Sequence, residues 1–159
     1  MTTDVRDARV TPEPLMNLDT AARIVDAALG FARSNGLAPM TVAALDARGC
    51  IVVLKMEDGS GLLRPEIASG KAWSALGMGF GTRNLASRAA KLPSFFGALA
   101  ALADGRVLPV PGGVLVRSDE GTVLGAVGAS GDTADNDEAC VLAGINEAGL
   151  TADPGVPDA

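Results

Sequence analysis

The segment Val123–Gly144, VLGAVGASGDTADNDEACVLAG, passes from an apolar run into a short polar loop and then an acidic helix start, and it constrains the fold more than any other stretch. Val123, Leu124, Ala126, Val127 and Ala129 read as a strand buried on both faces, because a half-exposed strand would alternate apolar with polar side chains. Gly125 and Gly128 interrupt it. Glycine weakens a strand interior, so the pair marks close approach of another backbone, a helix or a ligand. Ser130, Gly131 and Asp132 signal a turn, after which Asp132 or Thr133 caps a helix whose start carries Asp135, Asp137 and Glu138. Two readings stay open: a backbone pocket lined by Gly128, Ser130 and Gly131, or a buried strand leaving the sheet through an ordinary turn. Three carboxylates at the helix start argue against a phosphate ligand.

Residues 1–16 lack a hydrophobic period and read as a mobile arm, residues 17–149 as a single domain, and residues 150–159 as a frayed tail. From Asn17, apolar residues recur at three and four through Ala32, with Asn17 as cap and Gly36 as stop. Met40–Leu45 and Cys50–Met56 are two β-branched runs joined by a glycine-bearing turn, a hairpin whose strands both look central. Pro65 opens a helix to about Gly77, in which Ala68, Ala72 and Ala75 form a small-residue face and Lys71 stands beside Trp73. Lys71 either reaches toward a cleft or is solvated. Thr82 caps a short helix, and Pro93 begins another with Phe95, Phe96, Leu99 and Leu102 on its apolar stripe. Pro111, Gly112 and Gly113 form a rigid turn whose glycines bring backbone amides toward a ligand. A strand over Val114–Arg117 follows, and a last helix begins near Ala134. Hairpin connections make the sheet largely antiparallel with helices packed on it, an α+β arrangement.

Composition removes whole classes of chemistry. The 159 residues include no histidine and no tyrosine, so Ser-His, Cys-His and zinc-His sites and the phenolate haem ligand are excluded within one chain. A net charge of −6 offers no basic stripe for nucleic acid. No apolar run approaches a membrane span and no secretory core is present near Met1, so the chain as given reads as cytoplasmic. Cys50 and Cys140 fit no metal spacing and read as buried free thiols.

Taken together, Ala43–Gly49 with Val52 and Val53, Asp58-Gly59, Lys71-Ala72, Pro111-Gly112-Gly113, and Gly125–Gly131 followed by Asp137, Glu138 and Cys140 resemble the GlcG/HbpS-like family. That family includes a haem-binding sensor protein, glycolate-locus proteins and the C-terminal domain of some PduO cobalamin adenosyltransferases. The resemblance, over roughly residues 17 to 148, implies a five-stranded antiparallel sheet flanked by helices, assembly into dimers or higher oligomers, and in some members haem binding. Lacking His and Tyr, this chain offers only Met, Cys, Thr, Lys or apolar contact to a haem, and no axial ligand is carried across. No cofactor is required by the residues themselves.

The first functional reading is a small-ligand-binding protein holding a small organic or planar molecule near the Ser130-Gly131-Asp132 loop, with Pro111, Gly112, Gly113, Gly128, Ser130 and Gly131 as binding residues. The alternative is a cofactor-independent isomerase or lyase using Lys71 with Asp46, Asp58, Asp137 or Glu138 as acid or base, their pKa values tuned by burial, and amides of Gly113 and Gly131 as oxyanion donors. A third is a structural oligomer accessory to another enzyme. Self-association is expected through the glycine-interrupted strand and the Ala68, Ala72, Ala75 face, because 48% hydrophobic content suggests surface left over for a second subunit.

Overall fold

A computed structural model describes residues 16–157. The element order is α1 (Leu18–Ser34), β1 (Thr41–Asp46), β2 (Ile51–Met56), α2 (Arg64–Met78), α3 (Thr82–Lys91), α4 (Pro93–Leu102), β3 (Gly113–Arg117), β4 (Val123–Ser130), α5 (Ala134–Glu147) and β5 (Thr151–Asp153). The strands form one sheet in the order β2-β1-β4-β3-β5, every neighbouring pair antiparallel. This is the expected α+β sheet flanked by helices.

Alternation along the strands separates two cores. Val42, Ala44, Val114, Val116, Val127 and Ala129 face α1 and α5, while Ala43, Leu45, Leu115 and Ala126 face Ala68, Ala72 and Ala75 of α2. Both faces of the central strands are therefore covered, which is why β4 reads as a continuous apolar run. The α2 core is built from small side chains, and the helix comes down until its backbone meets the sheet. A Cβ on Gly128 would run into the Ala68 carbonyl oxygen, and one on Gly113 into the Lys71 carbonyl oxygen. A helix is thus what Gly128 admits; Gly125 instead lies against the Leu45 carbonyl of the adjacent strand. The alanine face and the glycine-interrupted strand are consumed within one chain, so they are not the subunit contacts expected of them.

Four local expectations are corrected. β2 is an edge strand rather than a central one: it pairs with β1 alone, and Ile51, Lys55 and Met56 are exposed. Met16, assigned to the arm, is fully buried against the α1/α5 core; the other arm residues lie outside the described residues. The tail is tied down at its start, since β5 pairs with β3 and Arg117 Nε holds Asp153 at 2.8 Å. Beyond it Gly155 lies against Gly81, where any Cβ would strike the opposite backbone, and Asn84 Nδ2 donates to the Val156 carbonyl at 2.6 Å. Thr82 does not cap α3; its hydroxyl donates to the Gly113 carbonyl and accepts from the Gly113 amide, locking α3 to the start of β3.

Candidate functional site

Lys71, Ser130 and Asp137, singled out by sequence, meet along one flank of α2 in a closed centre. Arg64, Ala68, Lys71 and Ala75 recur at three and four along the helix, which brings Arg64 and Lys71 to the flank nearest the end of β4. Lys71 is 2% exposed; its Nζ donates to Asp137 Oδ2 at 2.9 Å and to the Ala129 carbonyl at 3.0 Å. Asp137, in the first turn of α5, accepts the Asp132 amide on its other oxygen at 2.9 Å. Gly112 closes the top, with space for a Cβ already filled by Lys71 Nζ and Asp137 Cβ. The glycine turn, the end of β4 and the start of α5 therefore converge on Lys71. They converge to bury it.

Around this pair the remaining charges are also satisfied. Ser130 is fully buried and accepts from Arg64 at 3.0 Å. Gly131 lies against Pro39 and Met40 backbone. Asp132 takes amides from Ala38 and Thr133 and the Asn136 side chain, an arrangement led by the Ala38 amide that lowers its pKa to about 2. Glu138 is buried beside Lys71's partner but faces α3, where Arg83 Nε donates to both its oxygens at 2.9 and 3.1 Å while Arg83 also holds Asp135. Cys140 is buried, and burial first, then the carboxylates of Asp137 and Asp132, push its thiol up to about 12, so it stays protonated at neutral pH. Cys50 is exposed rather than buried, because it sits where the hairpin turn rejoins the edge strand.

Asp46 does not belong to this centre. In the β1–β4 register Thr41 faces Ser130 and Asp46 faces Gly125, so Asp46 lies roughly 17 Å away along the strand. It organises the hairpin turn instead: its carboxylate takes the amides of Arg48 and Cys50 and the Arg48 guanidinium. Burial alone would raise its pKa, but these donors together hold it below the usual value. Asp58 is exposed at the far end of β2, beside Arg33 and Glu57.

The opposite flank of α2 is open. Glu66, Ser69, Gly70 and Trp73 recur at three and four toward β2, and between them, the edge strand and the α4–β3 connection runs a groove of about 810 Å³. Leu45, Ile51 and Leu54 of the sheet, Leu63 and Ile67 at the start of α2, and Leu108 supply its apolar lining. Glu66, Ser69, Asp104 and Arg106 bring polar groups to it. The connection is fixed against α2: the Leu108 amide donates to Ser74 Oγ at 2.8 Å, and Ser74 Oγ donates to the Gly70 carbonyl at 2.7 Å. Arg106 Cζ sits 3.9 Å from the centre of the Trp73 ring. None of these residues was singled out from sequence except Trp73, as Lys71's neighbour. The available signal was the run Ile51–Met56, apolar on both faces in a strand that turns out to have only one neighbour.

The groove has the size of small-molecule sites, about 300–1,000 Å³, and their apolar lining with few polar groups. Its lining contains no imidazole, phenol, thioether or thiol to ligate an iron. Among the described residues no three Cys, Asp or Glu side chains converge to hold a metal ion, and no helix is long and apolar enough to cross a membrane.

A family model described as "Haem degrading protein HbpS-like" matches residues 16–146. Among solved structures, a PduOC–heme complex is 25% identical with a TM-score of 0.76, covering 84% of this chain and 94% of its own. A double mutant of HbpS from Streptomyces reticuli is 26% identical with a TM-score of 0.73, covering 92% of this chain and 96% of its own. The ORFY protein of Klebsiella pneumoniae, 24% identical with a TM-score of 0.78 over 89% of this chain and 95% of its own, shares the fold. No curated protein matches the chain in sequence.

Proposed function

Matched over residues 16–146, the chain belongs to the HbpS-like family, and from that membership we propose that it is a small-molecule-binding protein whose planar, largely apolar ligand lies in the groove between β2, α2 and the α4–β3 connection. The observation that carries this reading is the groove itself, open and apolar beside a polar centre that is closed and internally satisfied. The relative solved as a heme complex supports a planar ligand for this chain. The lining suits the ring of such a molecule and does not fit ligation of its iron. Lys71 and the Pro111–Gly113 and Ser130–Asp132 turns then act by seating α2, which forms one wall of the groove.

Trp73 is the chain's only tryptophan and it lines the groove, so its emission reports occupancy directly. Titration with planar aromatic compounds is expected to change that emission saturably. Binding seen by calorimetry with Trp73 emission unchanged would place the ligand elsewhere.

The same proposal includes self-association, now through α4. Leu92 before it, and Phe95 and Leu102 within it, are exposed, and only Phe96 is buried. A helix apolar all round is ordinarily covered, and a second copy of the chain is the partner we assign to it. Light scattering should give a mass above 15.9 kDa that falls to this value in Phe95→Asp/Leu102→Asp with the fold retained; a wild-type monomer would end the assignment.

A further inference from the structure

Resting on the groove reading above, we propose that Arg106 is the groove's specificity-determining residue, selecting planar ligands that carry a carboxylate. Three observations meet at this side chain. Its guanidinium is stacked on the Trp73 ring at 3.9 Å, the face along which a planar ligand would pass into the groove. Among the described residues no carboxylate forms an ion pair with it, so its planar fork of donors remains available. Its backbone is held, since the Arg106 amide donates to the Ala103 carbonyl at 3.1 Å, and the connection runs close against α2, where the Arg106 carbonyl oxygen would lie 3.3 Å from a Cβ on Gly70.

A guanidinium pinned at its root, spread over an aromatic face and lacking a counter-ion is preorganised for a carboxylate arriving with an aromatic or other flat body. The body enters against Leu54 and Ile51 while the carboxylate accepts two parallel N–H bonds at the mouth. Glu66 and Asp104 also stand at the groove and oppose an anion, which limits the preference and makes Arg106, its one cation among the described residues, the residue on which that preference depends.

The test uses three isosteric probes on the full chain: naphthoate, its neutral carboxamide and its cationic amidine, with affinities from calorimetry. Wild type is expected to hold naphthoate roughly tenfold tighter than the carboxamide, the worth of one charge-assisted contact, and the amidine no better than the carboxamide. Arg106→Met should erase the tenfold preference by lowering naphthoate affinity far more than carboxamide affinity, and Arg106→Lys should restore part of it. Equal binding of naphthoate and carboxamide by wild type, tightest binding of the amidine, or equal loss of both ligands in Arg106→Met would overturn the role of Arg106 while leaving the groove as the site. Failure of all three probes to bind wild type would overturn both.

Discussion

The two flanks of α2 carry opposite environments one residue apart. On one side Lys71 is sealed beneath Gly112 with Asp137 as its partner and a strand carbonyl as its second acceptor; on the other, Gly70 and Trp73 border an open apolar groove. The sealed side has converging charges, glycine turns and a helix start, all features usually associated with a binding site. The open side has leucines, isoleucines and one tryptophan. The contrast teaches that convergence of polar groups is a ligand site only when some of their hydrogen-bonding capacity remains facing space. Here the capacity is spent within the chain, and open space borders the other flank of α2, beside the edge strand.

The largest expected effect follows from breaking the sealed side. Asp137→Ala leaves Lys71 buried without its counter-charge and is expected to lower stability by about 3–5 kcal/mol, read from urea unfolding. Replacing the pair together, Lys71→Met with Asp137→Leu, should recover most of that loss; a single substitution with no effect would show that the centre is not sealed. For the same reason Lys71→Ala is expected to be destabilising, contrary to what a solvated lysine would give.

Gly128→Ala sharpens the claim that glycine serves helix packing. The added methyl meets the Ala68 carbonyl, and α2 must retreat, with an expected cost of about 1–3 kcal/mol by the same unfolding measurement. By contrast Ile51→Trp, on the exposed edge strand, should change stability by no more than about 0.5 kcal/mol, as surface substitutions do, while filling the groove. Equal losses for the two would erase the distinction between the flanks.

Asp132 gives a defined pH window. Its folded pKa of about 2 lies below the ordinary aspartate value of about 3.8, so the folded chain binds fewer protons there than the unfolded one, and the contribution is present above about 3.8 and lost as pH falls through about 2. Asp132→Asn should flatten the stability profile across that interval and leave its slope above it unchanged. An identical acid limb in both proteins would show that the Ala38 amide does not depend on the charge.

Most of the fold was legible because its signals are local. Asn17 and Thr133 cap their helices, Pro65 and Pro93 sit in the first turns of theirs, and the Asp46–Cys50 turn closes the hairpin. The meeting of Lys71, Gly112, Gly113 and Ser130 was also readable as a cluster. What remained hidden depends on long-range placement. Whether β2 is central or at the edge is decided by which strand of the hairpin β4 joins, and β4 joins β1, as the pairing of Val42 with Ala129, 87 residues along the chain, shows. That choice leaves Ile51 and Leu54 facing a groove instead of a neighbouring strand. The tail was misread for a similar reason: Thr151–Asp153 has no strand pattern of its own and is ordered by β3.

Hemin, used as a planar probe, tests the central claim most directly when titrated by absorbance against wild type and Ile51→Trp. Wild type is expected to bind saturably at about one hemin per chain, without the sharp low-spin Soret band that strong axial ligation gives, and Ile51→Trp to bind at least tenfold more weakly at unchanged stability. Equal affinity in the two proteins, no saturable binding to wild type, or a sharp low-spin band at stoichiometric hemin would contradict that claim.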